Sequence, residues 1–147
     1  ACGEATGGMH GADRIGGLSS ANGIVFGRIA GASAAQAAQN TPEEAPKADI
    51  ALPQYGIATT VAERLTRSLK HTMSTYCMIN RTEGGLSKAL HELEGLKTEA
   101  TTLSTQIAQD SEIAALARLQ SQIQLAQEMV KAMRKRTESL GSHYRAD

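Results

Sequence analysis

Apolar residues recur at spacings of three and four through most of the chain after residue 59, and this period limits the fold more than any other feature. It is the period of an amphipathic helix with one buried face. The chain has one Phe, three Tyr and no Trp, so Ala, Leu, Ile and Met must fill the core. Such side chains favour closely packed helices over a sheet sandwich. We therefore expect a mainly α-helical protein.

Three apolar stripes follow one another, and each predicts one helix. The first helix begins near Thr59, the second follows a break at residues 80–85, and the third runs over residues 111–140. Because the connections are short, we expect an antiparallel three-helix bundle over residues 57–147. The stripes consist of Val61, Leu65, Leu69, Met73 and Tyr76; Leu86, Leu90, Leu93 and Leu96; and Ile113, Leu116, Leu119, Ile123, Ala126, Val130 and Met133.

Capping residues mark the predicted ends of these helices. Thr59 or Thr60 is the expected N-cap of the first helix, and Asp110 or Ser111 that of the third, because their side-chain oxygens can accept from free backbone amides. Gly141 stands where a C-terminal helix glycine is expected.

The N-terminal part of the chain has a different character. Residues 1–17 are rich in glycine and predict a loop, whereas residues 18–39 are rich in Ala, Ser, Ile and Val and predict a helix. Ile24, Phe26 and Ile29 form its most apolar patch. All three prolines of the chain lie within residues 41–56, which we interpret as a linker.

Composition excludes several classes of function. The 15 basic and 15 acidic residues balance, which argues against a dedicated nucleic-acid binder. No apolar run reaches the ~18–20 residues that cross a bilayer. Cys2 and Cys77 are too few for a disulfide framework, and the histidines and cysteines lack the paired spacing of metal ligands. The basic run at residues 131–136 fits a solvated helix end. We expect no nucleic acid, no membrane span and no metal.

Residues 2–31 read CGEATGGMHGADRIGGLSSANGIVFGRIAG and place a carboxylate, two glycine pairs, a histidine and an arginine in front of a helix. A glycine-rich loop that leads into a helix suits an anionic ligand. The run resembles the C-terminal flavin-binding segment of the succinate dehydrogenase, fumarate reductase and L-aspartate oxidase flavoproteins. That family shows a Gly-Glu pair, His-Gly-Ala-Asn-Arg, then Gly-Gly-Asn-Ser-Leu.

Two motifs in the second half resemble the same family. Residues 81–86 read RTEGGL and residues 136–145 read RTESLGSHYR, where the family has Arg-Thr-Glu-x-Gly-Leu and Arg-x-Glu-Ser-Arg-Gly-x-His-Tyr-Arg. Leu140 stands in place of the family's usual Arg. The resemblance implies that residues 1–40 are the C-terminal segment of an FAD-binding domain and that residues 57–147 are the C-terminal helical domain.

The resemblance also implies roles for five residues of the loop and the first helix turn. Arg14 is expected to clamp a carboxylate of the substrate beside the flavin, because a guanidinium fork matches a carboxylate. Glu4, Ser19 and Ser20 are expected to contact FAD, and His10 to shape the loop near the flavin rather than to catalyse.

Three residues depart from the family pattern in this region. Asp13 replaces the usual Asn and adds a negative charge next to Arg14. Leu18 and Ser20 stand where the family has Asn and Leu. Backbone contacts from the helix turn survive these changes, whereas a contact from the Asn side chain does not.

The implied activity is that of an FAD-dependent oxidoreductase that transfers a hydride between flavin and a small dicarboxylate of the succinate/fumarate type. The alternatives are an L-aspartate oxidase-type enzyme and a non-enzymatic helical docking module. Expected partners are the remainder of the flavoprotein, the dicarboxylate and, as in multisubunit members, an iron–sulfur subunit. We expect the chain to be part of a larger cytoplasmic protein, peripheral on the inner face of the cell membrane, and to be inactive alone because it lacks the dinucleotide-binding fingerprint.

Overall fold

The computed structural model describes residues 2–40, 53–106 and 109–147, except for the side chain of Glu4. The chain divides into two compact units, Ala1–Ile50 and Ala51–Asp147. The expectation of a mainly helical protein is confirmed. The elements are, in chain order, a 3-10 helix at Gly3–Thr6, α1 (Leu18–Gln39), β1 (Tyr55–Gly56), α2 (Thr59–Tyr76), β2 (Asn80–Arg81), α3 (Glu83–Thr102), β3 (Thr105–Gln106), α4 (Asp110–Lys135) and β4 (Tyr144–Arg145).

In the first unit, α1 extends over the residues predicted to be helical. None of its 22 residues is buried. The apolar patch of Ile24, Phe26 and Ile29 stays exposed, at 75%, 43% and 54%. Because a helix normally gains most of its stability from packing one face, α1 presents an apolar surface that the described part of the chain leaves uncovered.

Most of the predicted linker, residues 41–56, lies outside the described residues, which resume at Pro53. The end of that segment forms β1, which pairs antiparallel with β3. Tyr55 lies opposite Gln106, and Gly56 lies opposite Thr105. The second small sheet pairs β2 with β4 in parallel.

In the second unit, α2, α3 and α4 pack together as the predicted antiparallel bundle. Side-chain pairs show the directions of the helices. Arg64 near the start of α2 contacts Glu99 near the end of α3, at 2.7 Å. Glu83 at the start of α3 contacts Arg134 near the end of α4. Neighbouring helices in sequence are therefore antiparallel, and α2 runs parallel to α4.

The core of the bundle consists mostly of residues from the predicted stripes, and it also includes Ile57, Ala62, Cys77, Ala89 and Ala100, which the stripes did not contain. Full burial of one large aliphatic side chain contributes about 1.5–3 kcal/mol, so these residues dominate the stability of the unit. The most deeply buried are Ile57, Leu65, Leu86, Leu93, Leu119, Ile123 and Val130, and Val61, Met73, Tyr76, Leu90 and Met133 pack against them while partly buried.

The predicted break at residues 80–85 is wrong by several residues. Thr82 is the N-cap of α3, and its Oγ1 accepts a hydrogen bond from the amide of Gly85 at 3.1 Å. Gly84 and Gly85 therefore lie in the first helical turn, although their type is typical of a break. The local capping bond and the burial of Leu86 outweigh the poor helix propensity of the glycines.

The predicted N-caps of the other two bundle helices are also wrong. α2 is preceded by Ala58 and α4 by Gln109, and neither makes a side-chain capping bond. The amide of Ile57 instead donates to the carbonyl of Glu112 at 3.2 Å, which joins the two helix starts through the backbone.

The last helix ends at Lys135, five residues before the predicted end. Gly141 is not its C-terminal glycine: it has a φ of +60° in a turn where the backbones of Leu140 and His143 exchange hydrogen bonds. The helix ends without a C-terminal glycine because the guanidinium of Arg145 donates to carbonyls at the end of α4 and satisfies them instead.

We expect Gly56→Ala to destabilise the protein by about 1–3 kcal/mol, because the added methyl is overpacked. A Cβ there would lie 2.7 Å from the carbonyl carbon of Glu112 and 2.9 Å from its Cβ. Gly95→Ala is the matched control: it lies within α3 with no atom within 4 Å of an added Cβ, so helix propensity predicts a gain of up to about 1 kcal/mol. Urea unfolding measures both, and equal effects would contradict the prediction.

Candidate functional site

The glycine-rich loop of the first unit leads into the N-terminus of α1. Apart from the 3-10 helix at its start, residues 7–17 form turns and irregular backbone, as predicted. Four glycines have left-handed backbone angles, and an added Cβ at any of them meets no atom within 4 Å; they are Gly7, Gly8, Gly11 and Gly17. The space beside the loop backbone is therefore open at each of these four glycines.

The loop returns closely against α1 at one point. A Cβ on Gly3 would lie 3.5 Å from the Cα of Gly23. Gly3 has a φ of +64°, a conformation that favours glycine. The backbones of the loop and of α1 therefore lie close together at Gly3 and Gly23, where an added Cβ would be in van der Waals contact.

His10 connects the loop to α1 and leaves one ring nitrogen without a partner. The side-chain amide of Asn22 lies 3.3 Å from Nδ1 of His10. Since that amide nitrogen can only donate, Nδ1 accepts and a neutral ring carries its proton on Nε2. Nε2 is buried and has no hydrogen-bond partner among the described residues. The site therefore holds an N–H donor that needs an acceptor.

Arg14 keeps its guanidinium uncommitted. Its backbone amide donates to Oδ1 of Asp13 at 2.7 Å. The side chains of Asp13 and Arg14 form no ion pair within the described residues. Arg14 is partly exposed. Its fork is therefore free to bind a carboxylate from outside the chain.

Ser19 and Ser20 lie in the first turn of α1, after an N-cap at Gly17. The first helical backbone bond runs from the amide of Ala21 to the carbonyl of Gly17, at 3.2 Å. The amides of the two serines precede it and belong to the group that a helix leaves unsatisfied. Glu4 lies in the 3-10 helix, and its side chain is outside the described residues. The functional roles of these residues stay predictions.

A second cluster of charged residues lies at one end of the bundle, and we call it the terminal cluster. It consists of Arg81, Glu83, Arg134, His143, Arg145 and Asp147. It joins the two charged motifs of the second half, which are far apart in sequence. Nη1 of Arg81 donates to Nδ1 of His143 at 2.9 Å, and Nε2 of His143 lies 3.0 Å from the carbonyl of Arg136. Because Arg81 can only donate, His143 is neutral with its proton on Nε2.

Arg145 is the centre of the terminal cluster, with only 6% of its side chain exposed. Its Nε contacts the carboxylate of Asp147 at 3.0 Å, and its Nη2 lies 3.6 Å from Glu83. Glu83 also binds Arg134. The basic run at residues 131–136 was expected to be a solvated helix end. Arg134 shows that it is more than that, because its ion pair with Glu83 connects α4 to α3.

Sequence reasoning missed the terminal cluster as a unit. Each motif resembles the family by itself, and neither one shows that the two meet in the fold. The only indirect signal is that both motifs contain a glutamate and an arginine, which could form ion pairs with each other. Leu140, which replaces the family's Arg, is 50% exposed and makes its described bonds through its backbone.

The carboxylates of the terminal cluster predict that the folded protein loses stability in acid. The hydrogen bond from Arg134 holds the pKa of Glu83 below its usual value of 4.5, and Arg145 holds that of Asp147 below 3.8. A depressed pKa in the folded state means that the unfolded chain binds more protons in acid, so this contribution is complete above about pH 4.5 and is lost as the pH falls.

We therefore expect Glu83→Gln to weaken the decline of stability between neutral pH and pH 3. Urea midpoints at a series of pH values measure it. Glu63→Gln is the control, because Glu63 makes no ion pair in the described chain. A Glu83→Gln profile as steep as the wild type contradicts the assignment.

The two cysteines lie in different surroundings. Cys77 is buried, which raises the pKa of its thiol, and Cys2 is an exposed free thiol. Among the described residues, no three His, Cys, Asp or Glu side chains come together as a metal site. No helix in the described ranges is both long and apolar enough to cross a membrane.

Comparison with known proteins decides the family. The profile of the fumarate reductase flavoprotein C-terminal domain matches residues 66–147, which include most of α2, all of α3 and α4, and the terminal cluster. The chain belongs to this flavoprotein family. The family resemblance of the sequence motifs is thereby confirmed.

Two relatives match the whole chain, including the glycine-rich loop. An uncharacterised FAD-dependent oxidoreductase of Methanocaldococcus jannaschii is 33% identical over 153 residues. A fumarate reductase (CoM/CoB) subunit of Methanothermobacter marburgensis is 30% identical over 155 residues. The chain spans 28% of the length of each of these two proteins. No solved structure matches the chain.

Proposed function

We propose that this chain is the C-terminal part of an FAD-dependent oxidoreductase that interconverts a small dicarboxylate pair of the succinate/fumarate type. Membership of the family and the names of the two relatives support the class of enzyme. The uncommitted guanidinium of Arg14, beside a glycine-rich loop, is the observation that carries the choice of substrate. A dicarboxylate offers the planar anionic group that this fork matches.

The residues of the loop fit part of an FAD site. The buried Nε2–H of His10 needs an acceptor, and flavin carbonyls or phosphates are acceptors. The amides of Ser19 and Ser20 and the positive end of the α1 dipole favour negative charge in the same region. Glu4 is the proposed acceptor for cofactor hydroxyl groups. When bound, FAD would supply the hydride chemistry, whereas the protein supplies binding, orientation and charge.

Arg14 would bind one carboxylate and orient the dicarboxylate relative to the cofactor. Holding a substrate in the reacting geometry lowers the barrier by removing its motional freedom in advance. The chain contains no early dinucleotide-binding fingerprint, so the remainder of the flavoprotein must hold the ADP half of FAD. We therefore propose that the isolated chain does not turn over.

The proposal includes the assembly and its location. One relative is a subunit by name, which supports a parent protein that works with a second polypeptide. We propose an iron–sulfur protein as that electron partner and a cytoplasmic site, at the inner face of the membrane. Co-purification from the native source tests the assembly, and a preparation with neither iron nor a second polypeptide would contradict it.

The test of the activity uses the full-length parent protein. We expect a flavin absorption spectrum after purification, bleaching by a chemical reductant, and recovery of the oxidised spectrum on addition of fumarate. If L-aspartate bleaches the oxidised flavin and fumarate does not reoxidise the reduced flavin, the aspartate oxidase alternative is assigned and the proposal is overturned. A full-length protein without flavin overturns the enzyme class and favours the docking module.

A further inference from the structure

A groove runs along the bundle between α2 and α4, with a volume of about 630 Å³. Its floor is apolar and consists of small residues together with Leu119, because alanines open space between the two helices. Hydroxyl and amide groups lie along its length. The floor includes Ala62, Ala115 and Leu119, and the polar groups include those of Thr66, Ser111 and Gln122.

The groove carries excess positive charge. Arg67 and Lys70 line it from α2, and Arg118 lines it from α4. None of the three forms an ion pair within the described residues, whereas five other cations of the bundle do. Glu63 is the acidic side chain among the groove residues. The three cations are therefore available to anions from outside.

The direction of the helices adds to this potential. Because α2 and α4 run parallel, their N-termini lie at the same end of the groove, where Thr59 and Ser111 line it. A helix N-terminus carries a partial positive charge. This partial charge adds to that of the three cations, but Asp110 and Glu112 in the first turn of α4 oppose it at this end, so the excess positive charge lies towards Lys70.

The shape of the groove distinguishes an extended ligand from a compact anion. From Thr59 to Lys70 the helix rises about 16 Å at 1.5 Å per residue. An extended peptide advances roughly 3.3 Å per residue, so about five residues fill that length. The cations are spread over two helices along the slot, and the residues that line it include no glycine-rich turn whose clustered amides could hold a single phosphate.

We propose that the α2–α4 groove is a docking site for a short acidic segment of a partner protein. Carboxylates of the segment would pair with Arg67, Lys70 and Arg118, and its apolar atoms would lie on the alanine floor. Such contacts give specificity and fast association between proteins. This inference concerns a binding surface and does not depend on the oxidoreductase activity.

The experiment uses the full chain and a fluorescent oligo-glutamate peptide, with affinity measured by anisotropy. Arg67→Glu/Arg118→Glu should weaken binding at least tenfold. Lys88→Glu/Arg136→Glu is the matched control, because it changes the net charge equally at residues that do not line the groove; it should change affinity less than threefold. Circular dichroism checks that both variants keep their helices.

A zero-length carbodiimide cross-link locates the peptide. We expect mass spectrometry to find the peptide on Lys70, and to find less of it in Arg67→Glu/Arg118→Glu, which keeps Lys70. Equal weakening by both double variants, or cross-links spread over all lysines, overturns the proposal. Binding of tripolyphosphate or anionic vesicles through Arg67 without binding of oligo-glutamate also overturns it, because the occupant would then be of another class.

Discussion

Arg145→Ala is expected to lower the free energy of unfolding by about 3 kcal/mol and the melting temperature by roughly 10 °C or more. The guanidinium is nearly fully buried and makes several bonds at once. Its Nη1 donates to the carbonyls of Met133, Arg134 and Arg136 at 3.3–3.5 Å, and its other nitrogens face two carboxylates. Removal leaves the end of α4 without donors and the carboxylates with fewer partners.

The measurement is urea unfolding of the full chain followed by far-ultraviolet circular dichroism. Arg136→Ala is the control, because it removes the same side chain from an exposed position nearby and should cost less than about 0.5 kcal/mol. Arg145→Lys should lie between the two, since one ammonium cannot reach the carbonyls and both carboxylates. Similar losses for the two alanine variants would mean that the terminal cluster does not stabilise the bundle.

Arg14→Ala in the full-length parent protein is expected to lower kcat/KM for fumarate by roughly a hundredfold to a thousandfold. The reason is the loss of the bidentate contact that holds the substrate carboxylate. Arg14→Lys keeps the charge but not the planar fork, so we expect it to recover only a small part of the loss.

Arg28→Ala is the control for this prediction, because Arg28 is another arginine of the first unit, is exposed, and has no proposed role at the site. Flavin content must be measured in every variant, so that loss of the cofactor is not mistaken for loss of substrate binding. A flavin-replete Arg14→Ala protein with wild-type kcat/KM would contradict the clamp assignment.

The bundle could be predicted from the sequence because its determinants are local and periodic. Leu65, Leu93 and Ile123 each belong to a stripe whose spacing alone shows the buried face. The ends of the helices could not be predicted as well, since distant contacts determine them. The start of α4 is joined to Ile57 through the backbone, and its end is bonded by Arg145, which follows it in an irregular tail.

The glycine-rich loop and the terminal cluster show the same contrast between local and distant determinants. One continuous motif is enough to predict Arg14 and His10 as site residues, although the bond between His10 and Asn22 and the unpartnered Nε2 required the structure. The terminal cluster escaped prediction because Arg81 and His143 are separated by 62 positions. Only folding brings them together, and no local pattern records that contact.

The terminal cluster also bears on the order in which the protein is made. The carboxylate of Asp147 accepts a bond from the amide of Glu83, 64 positions earlier, and the amide of Ala146 donates to the carbonyl of Arg81. At about 5–20 residues per second, the ribosome needs roughly 3 to 13 seconds to pass from one partner to the other. During that interval the start of α3 lacks its final contacts. Chains truncated before Arg145 can never form them, so we expect cellular proteases to distinguish such chains from chains that include residues 145–147.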